Sequence, residues 1–441
     1  MTAPALDREH ITLQKLDITD TDLYVERGYP WKEWDLLRRE APVFWYERPG
    51  FEPFWAITKY SDIQFISKNP EIFSNRQRLR LAHPIPVDWE RWKEQEATSR
   101  YRPAPDEPPD LVFMDPPQHR QYRSIVSSRF TPRAMSVLES HLDEMTDAYI
   151  GEFGERLVAT IASGREADFV HDCAAKLPVA AICEMADIPR EDWDRVFQWT
   201  EVLVGSQDPE YQLPGENARD AARRNINEWF DYMERLVAVR QDAGLPGSDL
   251  LTMLLRAEIE GERLSPREVM SYIILLLAAG NETTRNSTTG GVHALLEHPD
   301  QLAKLVAHPE LVDSAVEEIL RWTSVVIQFT RTCVQDTEIR GQKIRKGETV
   351  AMWYPSANRD EDVFEEAYRF NIERDPNDHF AFGGYGEHFC LGANLARWEM
   401  RSLFKALIPL LPRMEVTAEP ERLAGQLHLG GIKRLMVKAR P

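Results

Sequence analysis

The strongest pattern of apolar and polar positions runs from Ser265 to Glu297. Ser265 can cap a helix, Pro266 suits the first helical position, and Glu268 completes a capping box. His298-Pro299 stops the pattern, because a residue before proline avoids helical geometry. At a rise of 1.5 Å per residue such a helix is about 50 Å long and crosses the whole molecule. Ile273 to Ala279 is apolar around the full circumference, which belongs in the middle of a large fold.

Elsewhere the pattern predicts shorter elements. Val43 to Tyr46 and Phe54 to Thr58 are aromatic and β-branched runs on either side of Arg48-Pro49-Gly50, which reads as a hairpin-like pair of strands. Ser61-Asp62 starts a short helix. Residues 74–110 are irregular and carry Pro84, Pro86, Pro103, Pro105, Pro108 and Pro109, a composition that suits a functional segment. From about 116 to 325 the chain reads mainly as helices, broken at Asp208-Pro209 and Leu213-Pro214-Gly215. Ile339 to Ile344 and Thr349 to Met352 read as short strands around Lys346-Gly347. A loop-rich stretch leads to a last helix from about Gly392, followed by β hairpins. Residues up to about 30 are polar and expected to be loosely ordered. No strong linker or repeat appears, so residues 1–441 are expected to form one domain, mainly α with a small β part.

Composition narrows the function. With 53 Lys and Arg against 72 Asp and Glu, the net charge is −19. This repels phosphate backbones and anionic membranes, so no nucleic acid is expected as partner. The longest apolar run, Tyr272 to Ala279, is less than half of the roughly 20 residues of a membrane span, so no membrane anchor is expected. The N-terminus lacks a signal-peptide pattern. Four scattered cysteines, Cys173, Cys183, Cys333 and Cys390, form no CxxC pair. They fit a reducing, cytoplasmic compartment.

Chemistry concentrates in Phe382-Gly383-Gly384-Tyr385-Gly386-Glu387-His388-Phe389-Cys390-Leu391-Gly392. Glycines allow a backbone to approach a flat ligand. A helix N-terminus just beyond favours a thiolate at Cys390. A lone cysteine is ordinarily a small buried hydrophobe, the reading given to the other three. His388-x-Cys390 could be half of a zinc site, but no second pair has suitable spacing. In the long helix, Ala279-Gly280-Asn281-Glu282-Thr283-Thr284 places an acid and hydroxyls beside a glycine, which is locally costly. The bland reading is a back-bonded Thr with a surface Glu. Glu318 and Arg321 share a helix face and can pair. So do His119 and Arg123.

In this order these segments resemble the cytochromes P450. The family's haem loop reads Phe-Gly-x-Gly-x-His/Arg-x-Cys-x-Gly. Here Phe382 lies eight residues before Cys390 instead of seven, a departure shared with a subset of bacterial members. The resemblance implies the P450 fold, with heme b between the long central helix and the helix after Cys390. It implies Cys390 as axial ligand of the iron, and cofactor contacts from Ala279, Phe382 and Gly392. His119, Arg123, Arg331 and His388 become propionate partners. Thr283 becomes the residue holding oxygen and water, admitted by a gap in the helix ladder, and Glu282 its proton source. Glu318, Arg321 and Arg374 become structural supports. Ile274, Ala278, Val325, Val326 and Leu429, with residues 74–110, become the substrate pocket. Without a GxGxxG fingerprint after a strand, electrons should come from a ferredoxin and ferredoxin reductase. The implied enzyme is a monomeric monooxygenase using dioxygen to hydroxylate a sterol-like, terpenoid or branched lipid. A peroxide-using haem-thiolate enzyme, disfavoured by Glu282-Thr283, and a non-catalytic haem protein are the alternatives.

Overall fold

The structure is a computed structural model that describes residues 11–48, 52–76, 78–81, 110–206, 208–425 and 427–440. Its helices are α1 (Thr21–Arg27), α2 (Trp31–Glu40), α3 (Tyr60–Lys68), α4 (Gln118–Ser127), α5 (Pro132–Ser163), α6 (Lys176–Met185) and α7 (Trp193–Gly205). Then follow α8 (Ala218–Asp242), α9 (Leu250–Arg256), α10 (Pro266–Glu297), α11 (Pro299–Ala307), α12 (Val312–Thr323), α13 (Tyr354–Ala357) and α14 (Ala393–Leu407).

Helix α10 is the long helix of the sequence pattern. Ser265 accepts from the Glu268 N–H, and the Glu268 side chain closes the box on the Ser265 N–H. Helices α6, α7, α8, α9, α12 and α14 all pack against it. Its first half is buried through Val269, Ile273 and Leu277 in a core shared with Trp199, Trp229 and Phe230. Its second half is buried through Val292 and Leu295 in a separate core with Ile319, Met400 and Phe404. The stretch between these cores carries the polar residues 281–289.

A five-stranded sheet lies beside this body: β1 (Val43–Tyr46), β2 (Phe54–Ile57), β3 (Phe73–Ser74), β4 (Gln328–Cys333) and β5 (Thr349–Trp353), in the order β1-β2-β5-β4-β3. Strands β1 and β2 pair antiparallel with Trp45 opposite Trp55, and β5 joins β2 in parallel. On β4, Arg331 sits opposite Val350 and is buried.

Three local expectations change. The start of the chain is not loose from residue 11 onward: Leu16 and Ile18 are fully buried, and Asp17 accepts from Tyr46 Oη at 2.8 Å. Helix α3 begins at Tyr60 and has no local side-chain cap. Its Tyr60 N–H donates instead to Asp360 Oδ2 at 2.9 Å, a cap supplied from 300 residues away. Ile339 to Ile344 is a hairpin, pairing Thr337–Ile339 with Gln342–Ile344. The turn falls at Arg340-Gly341, both at positive φ, the geometry that matches strand twist in two-residue hairpins.

Candidate active site

The loop before α14 is shaped by its own backbone. The Cys390 N–H donates to the Phe382 carbonyl at 3.0 Å, and the Phe389 N–H to the Gly386 carbonyl at 3.1 Å. Gly383 and Gly386 have φ of 95° and 99°, a region glycine enters without steric cost. The loop is pressed onto α3. A Cβ on Gly386 would lie 2.2 Å from the Ser67 carbonyl oxygen, and one on Gly384 2.4 Å from the Ser67 hydroxyl. The loop's additional residue is therefore accommodated against α3, and Tyr385 stacks on Phe389 with rings 6.0 Å apart and nearly parallel.

The other three cysteines are buried, while Cys390 opens onto a cavity of roughly 280 Å³. Enclosure pushes the Cys390 thiol up, opposed by the Gly392 N–H and by the charges of Arg123 and Arg397. A bound metal cation reverses this, since a coordinating thiol is deprotonated outright. Phe382, His388, Gly392, His119, Arg123 and Arg331 share the same cavity wall. The His119 and His388 rings pack 4.0 Å apart. His119 Nδ1 and His388 Nε2 are buried without a hydrogen-bond partner. Burial and the neighbouring guanidinium groups push His119 down to about 4. Arg331 Nη1 donates to the Thr330 carbonyl at 2.7 Å, and no carboxylate pairs with it among the described residues.

Helix α10 supplies another part of the cavity wall. Leu275, Leu276, Ala279, Gly280, Thr283 and Thr284 line it. Helix α10 is unbroken here, without the expected gap in its ladder. Thr283 Oγ1 donates to the Ala279 carbonyl at 2.9 Å, leaving its oxygen free to accept from the cavity side. Ile274 and Ala278, expected in the pocket, are not part of this wall. At about 100° per residue they point to the opposite face of α10, into the core with Trp199 and Trp229.

Glu282 is not brought to the cavity either. It is fully buried and accepts from Arg285 Nη2 at 2.5 Å, while Arg285 Nη1 reaches Glu201 at 3.0 Å. Burial raises Glu282 against the opposing pull of Arg285. Asn281 donates to Thr200 Oγ1 at 2.5 Å, tying α10 to α7. Val325 and Val326 do line the cavity, together with Phe329. Leu429 does not; it bridges to Val326 and lines a second cavity with Asn286 and Gly431. The part of the expected pocket within residues 82–109 lies outside the described residues.

Behind the Cys390 loop, Glu318 accepts from Arg321 twice at 2.8 Å, from Arg374 Nε at 3.1 Å and from the Asn371 N–H at 2.8 Å. A second cluster was not anticipated. Arg397 forks onto Glu317 at 2.7 and 2.9 Å, His379 joins at 3.1 Å, and the Arg397 guanidinium lies 4.5 Å from the Phe382 ring centroid. Glu399 was also missed. It lines the cavity from α14, fully buried. Its signal was an acid within the apolar i, i+4 row Leu395-Glu399-Leu403.

The family model for cytochrome P450 matches residues 77–422. The chain belongs to the cytochrome P450 family. It is 39% identical over 445 residues to the methyl-branched lipid omega-hydroxylase of Mycobacterium tuberculosis (strain ATCC 25618 / H37Rv), covering 98% of this chain and 96% of that protein. It is 37% identical over 430 residues to the steroid C26-monooxygenase of Rhodococcus jostii (strain RHA1), covering 96% and 84%. Among solved structures, a Mycobacterium marinum cytochrome P450 in complex with pseudoionone superposes with a TM-score of 0.80 at 33% identity, covering 92% of this chain and 94% of that one. A Bacillus megaterium P450 in complex with testosterone gives 0.78 at 29%, covering 94% and 99%.

This P450 is accordingly a monooxygenase with a haem cofactor, acting on a hydrophobic substrate with dioxygen and electrons from redox partners. The residues present fit that cofactor. A thiol and apolar helix surface lining one cavity, with two orphaned imidazole nitrogens and two guanidinium groups, match an apolar macrocycle with an anionic edge. No helix among the described residues is long and apolar enough to cross a membrane.

Proposed function

We propose that this P450 binds heme b and hydroxylates the branched terminus of an aliphatic chain on a steroid or lipid. The observation that carries the reading is Cys390 open at the cavity base, with His119, Arg123, Arg331 and His388 grouped in the same wall. Cys390 would hold the iron through its thiolate, and those four side chains would hold the propionates. Phe382, Gly392 and Ala279 would bound the macrocycle. When bound, heme b with a thiolate ligand supplies the iron chemistry that cleaves dioxygen. Thr283 would position water and oxygen through its hydroxyl. Leu275, Leu276, Val325, Val326 and Phe329 would orient an apolar substrate and exclude bulk water.

The substrate reading rests on the two relatives named for a methyl-branched lipid and a steroid C26 position. Both names point to terminal aliphatic carbons, and the apolar wall suits such a chain. We assign a ferredoxin and its reductase as electron donors, a monomeric state, and a cytoplasmic location. The reduced, carbon-monoxide-bound protein should show the red-shifted haem band of a thiolate ligand, and Cys390→Ala should abolish it. A wild-type protein without that band refutes the haem-thiolate assignment. Methyl-branched lipids and steroids should produce a spin-state shift where straight-chain fatty acids of equal length bind less tightly. Equal binding of all three would overturn the substrate assignment.

A further inference from the structure

A second cavity of roughly 280 Å³ lies beyond the substrate wall and is lined by none of the residues assigned to the cofactor. Helix α10 supplies Asn286, Gly290 and His293, spaced four and three residues apart and so on one face. Tyr29, Trp31 and Trp322 supply ring surface. These rings are held in place. The Tyr29 hydroxyl donates to the Ser324 carbonyl at 3.0 Å, and the Arg359 guanidinium lies 4.8 Å from the Trp31 ring centroid and 4.3 Å from that of Trp322. Two glycines bring the backbone close: a Cβ on Gly430 would clash with the Tyr29 hydroxyl, and one on Gly431 with Asn286 Oδ1. A chamber walled by fixed rings and backbone is pre-formed, as ligand sites are.

Its polar groups are under-used. Asn286 is 1% exposed; its Nδ2 donates to the Glu282 carbonyl at 2.9 Å, and its Oδ1 has no partner. A buried acceptor is costly until a donor meets it. Arg27 and Arg422 also line the cavity, and neither pairs with a carboxylate among the described residues. Arg422 reaches only the Val25 carbonyl, at 3.4 Å. Burial pushes His293 below its ordinary value, so its ring is neutral at pH 7. Glu297, the acid in this wall, is largely exposed and lies 3.5 Å from His293 Nδ1. The chamber therefore offers two guanidinium groups, an unmet acceptor and ring surface.

The partition from the haem cavity is thin. Val325 lines both cavities, while Val326 lines the haem cavity and its bridge partner Leu429 lines the second. The Gly430 N–H donates to the Val325 carbonyl at 2.8 Å, and the Ile327 N–H to the His428 carbonyl at 2.9 Å. This ladder separates the chambers and makes their walls move together. We propose that the second cavity binds a small aromatic carboxylate carrying an N–H or O–H donor, and that this ligand sets the position of the Val325-Val326 wall against the substrate. The carboxylate meets Arg27 and Arg422, the donor meets Asn286 Oδ1, and the ring lies against Tyr29, Trp31 and Trp322. A cavity of about 150 Å³ holds benzene; one of roughly 280 Å³ has room for a bicyclic ring with a short acid arm. Ligand and substrate change each other's affinity by the same factor, because both act on one wall.

Indole-3-acetate is the probe, and 4-phenylimidazole closes the haem cavity by ligating the iron. Equilibrium dialysis of the haem-loaded protein with saturating 4-phenylimidazole should show one equivalent of indole-3-acetate bound. No binding, or binding that 4-phenylimidazole abolishes, overturns the proposal. Arg27→Gln combined with Arg422→Gln should weaken that binding by about tenfold and leave binding of the uncharged indole-3-acetamide unchanged. No loss, or an equal loss for both probes, overturns the site. His293→Trp fills the chamber and should abolish binding while the carbon-monoxide spectrum stays as in the wild type; retained binding overturns the site as well. Saturating indole-3-acetate should move the midpoint of the substrate spin-state titration by about fivefold in the wild type and leave it in place in the double variant. An unmoved midpoint in the wild type overturns the action on the wall. The dialysis does not depend on which lipid or steroid is oxidised, so its failure is distinguishable from failure of the substrate reading.

Discussion

The imidazole rings of His119 and His388 pack with centroids 4.0 Å apart, and each presents one buried nitrogen that no protein group satisfies. Orphaned polar atoms in such a pair are costly until a ligand meets them. A hydrogen bond to a charged carboxylate contributes about 1.5–3 kcal/mol. His119→Ala and His388→Ala should each speed haem release by about tenfold to a hundredfold. Transfer of haem to an excess of apomyoglobin measures this, and an unchanged rate removes that residue from the propionate site.

Thr283→Ala removes a hydroxyl that donates only to the carbonyl one turn back. Such a bond adds little to helix stability, so the melting temperature should hardly move. Coupling should fall several-fold, with reductant diverted to hydrogen peroxide. Titration of peroxide against product distinguishes this from a packing defect.

The face of α10 that meets the cavity makes Leu275 and Ile274 a matched pair of controls. Ile274→Ala opens a void in the core and should cost about 2–5 kcal/mol. Leu275→Ala enlarges the cavity instead and should change ligand affinity at much smaller stability cost. Denaturant unfolding and substrate spin-shift titrations report the two effects separately. The same result in both variants would contradict the assigned faces.

Glu318 is enclosed by Arg321, Arg374 and the Asn371 N–H. Glu318→Gln leaves Arg321 buried and uncompensated, which typically costs 3–5 kcal/mol, roughly. Expression as apoprotein or aggregate, with little haem incorporated, is the expected outcome. Normal haem content and melting temperature would contradict it.

Glu317 has a pH consequence. It is pushed down to about 2 against its burial, by bonds from His379 and Arg397. Because the folded value lies below the unfolded one, the stabilisation is complete above the unfolded value of 4.5 and is lost as pH falls toward 2. Allowing for its partial exposure, the effect is about 1–3 kcal/mol. Glu317→Gln should flatten the stability profile between those limits while lowering stability at neutral pH. An acid limb as steep as the wild type's would show that the cluster does not carry it.

Local grammar made much of this fold legible. The capping box at Ser265 and Glu268 and the stop at His298-Pro299 delimit α10 by rules that act within a few residues. The glycine spacing before Cys390 works in the same way. Side-chain direction within the helix was harder. Leu275 and Ile274 are equally apolar, and only packing against α6, α7 and α8 decides which faces the cavity. Glu282 misled for a related reason: its partner Arg285 is near in sequence, but Glu201, which completes the buried group, is not. The Asp360 cap of α3 and the Arg397–Glu317–His379 cluster are products of long-range assembly and leave no local mark.

The seating of the Cys390 loop on α3 ties the sulfur to a part of the molecule outside the helical body. A Cβ at Gly386 would clash with the Ser67 carbonyl oxygen, so loop and helix lie backbone against backbone and a shift of α3 is felt in the loop that carries the sulfur. Helix α3 in turn is capped by Asp360 and packs in one core with β2, β4 and β5. The sheet region and the cofactor site should therefore melt as one cooperative unit. Heating should release haem in the same transition that unfolds the sheet, whichever half of the protein begins to fail first.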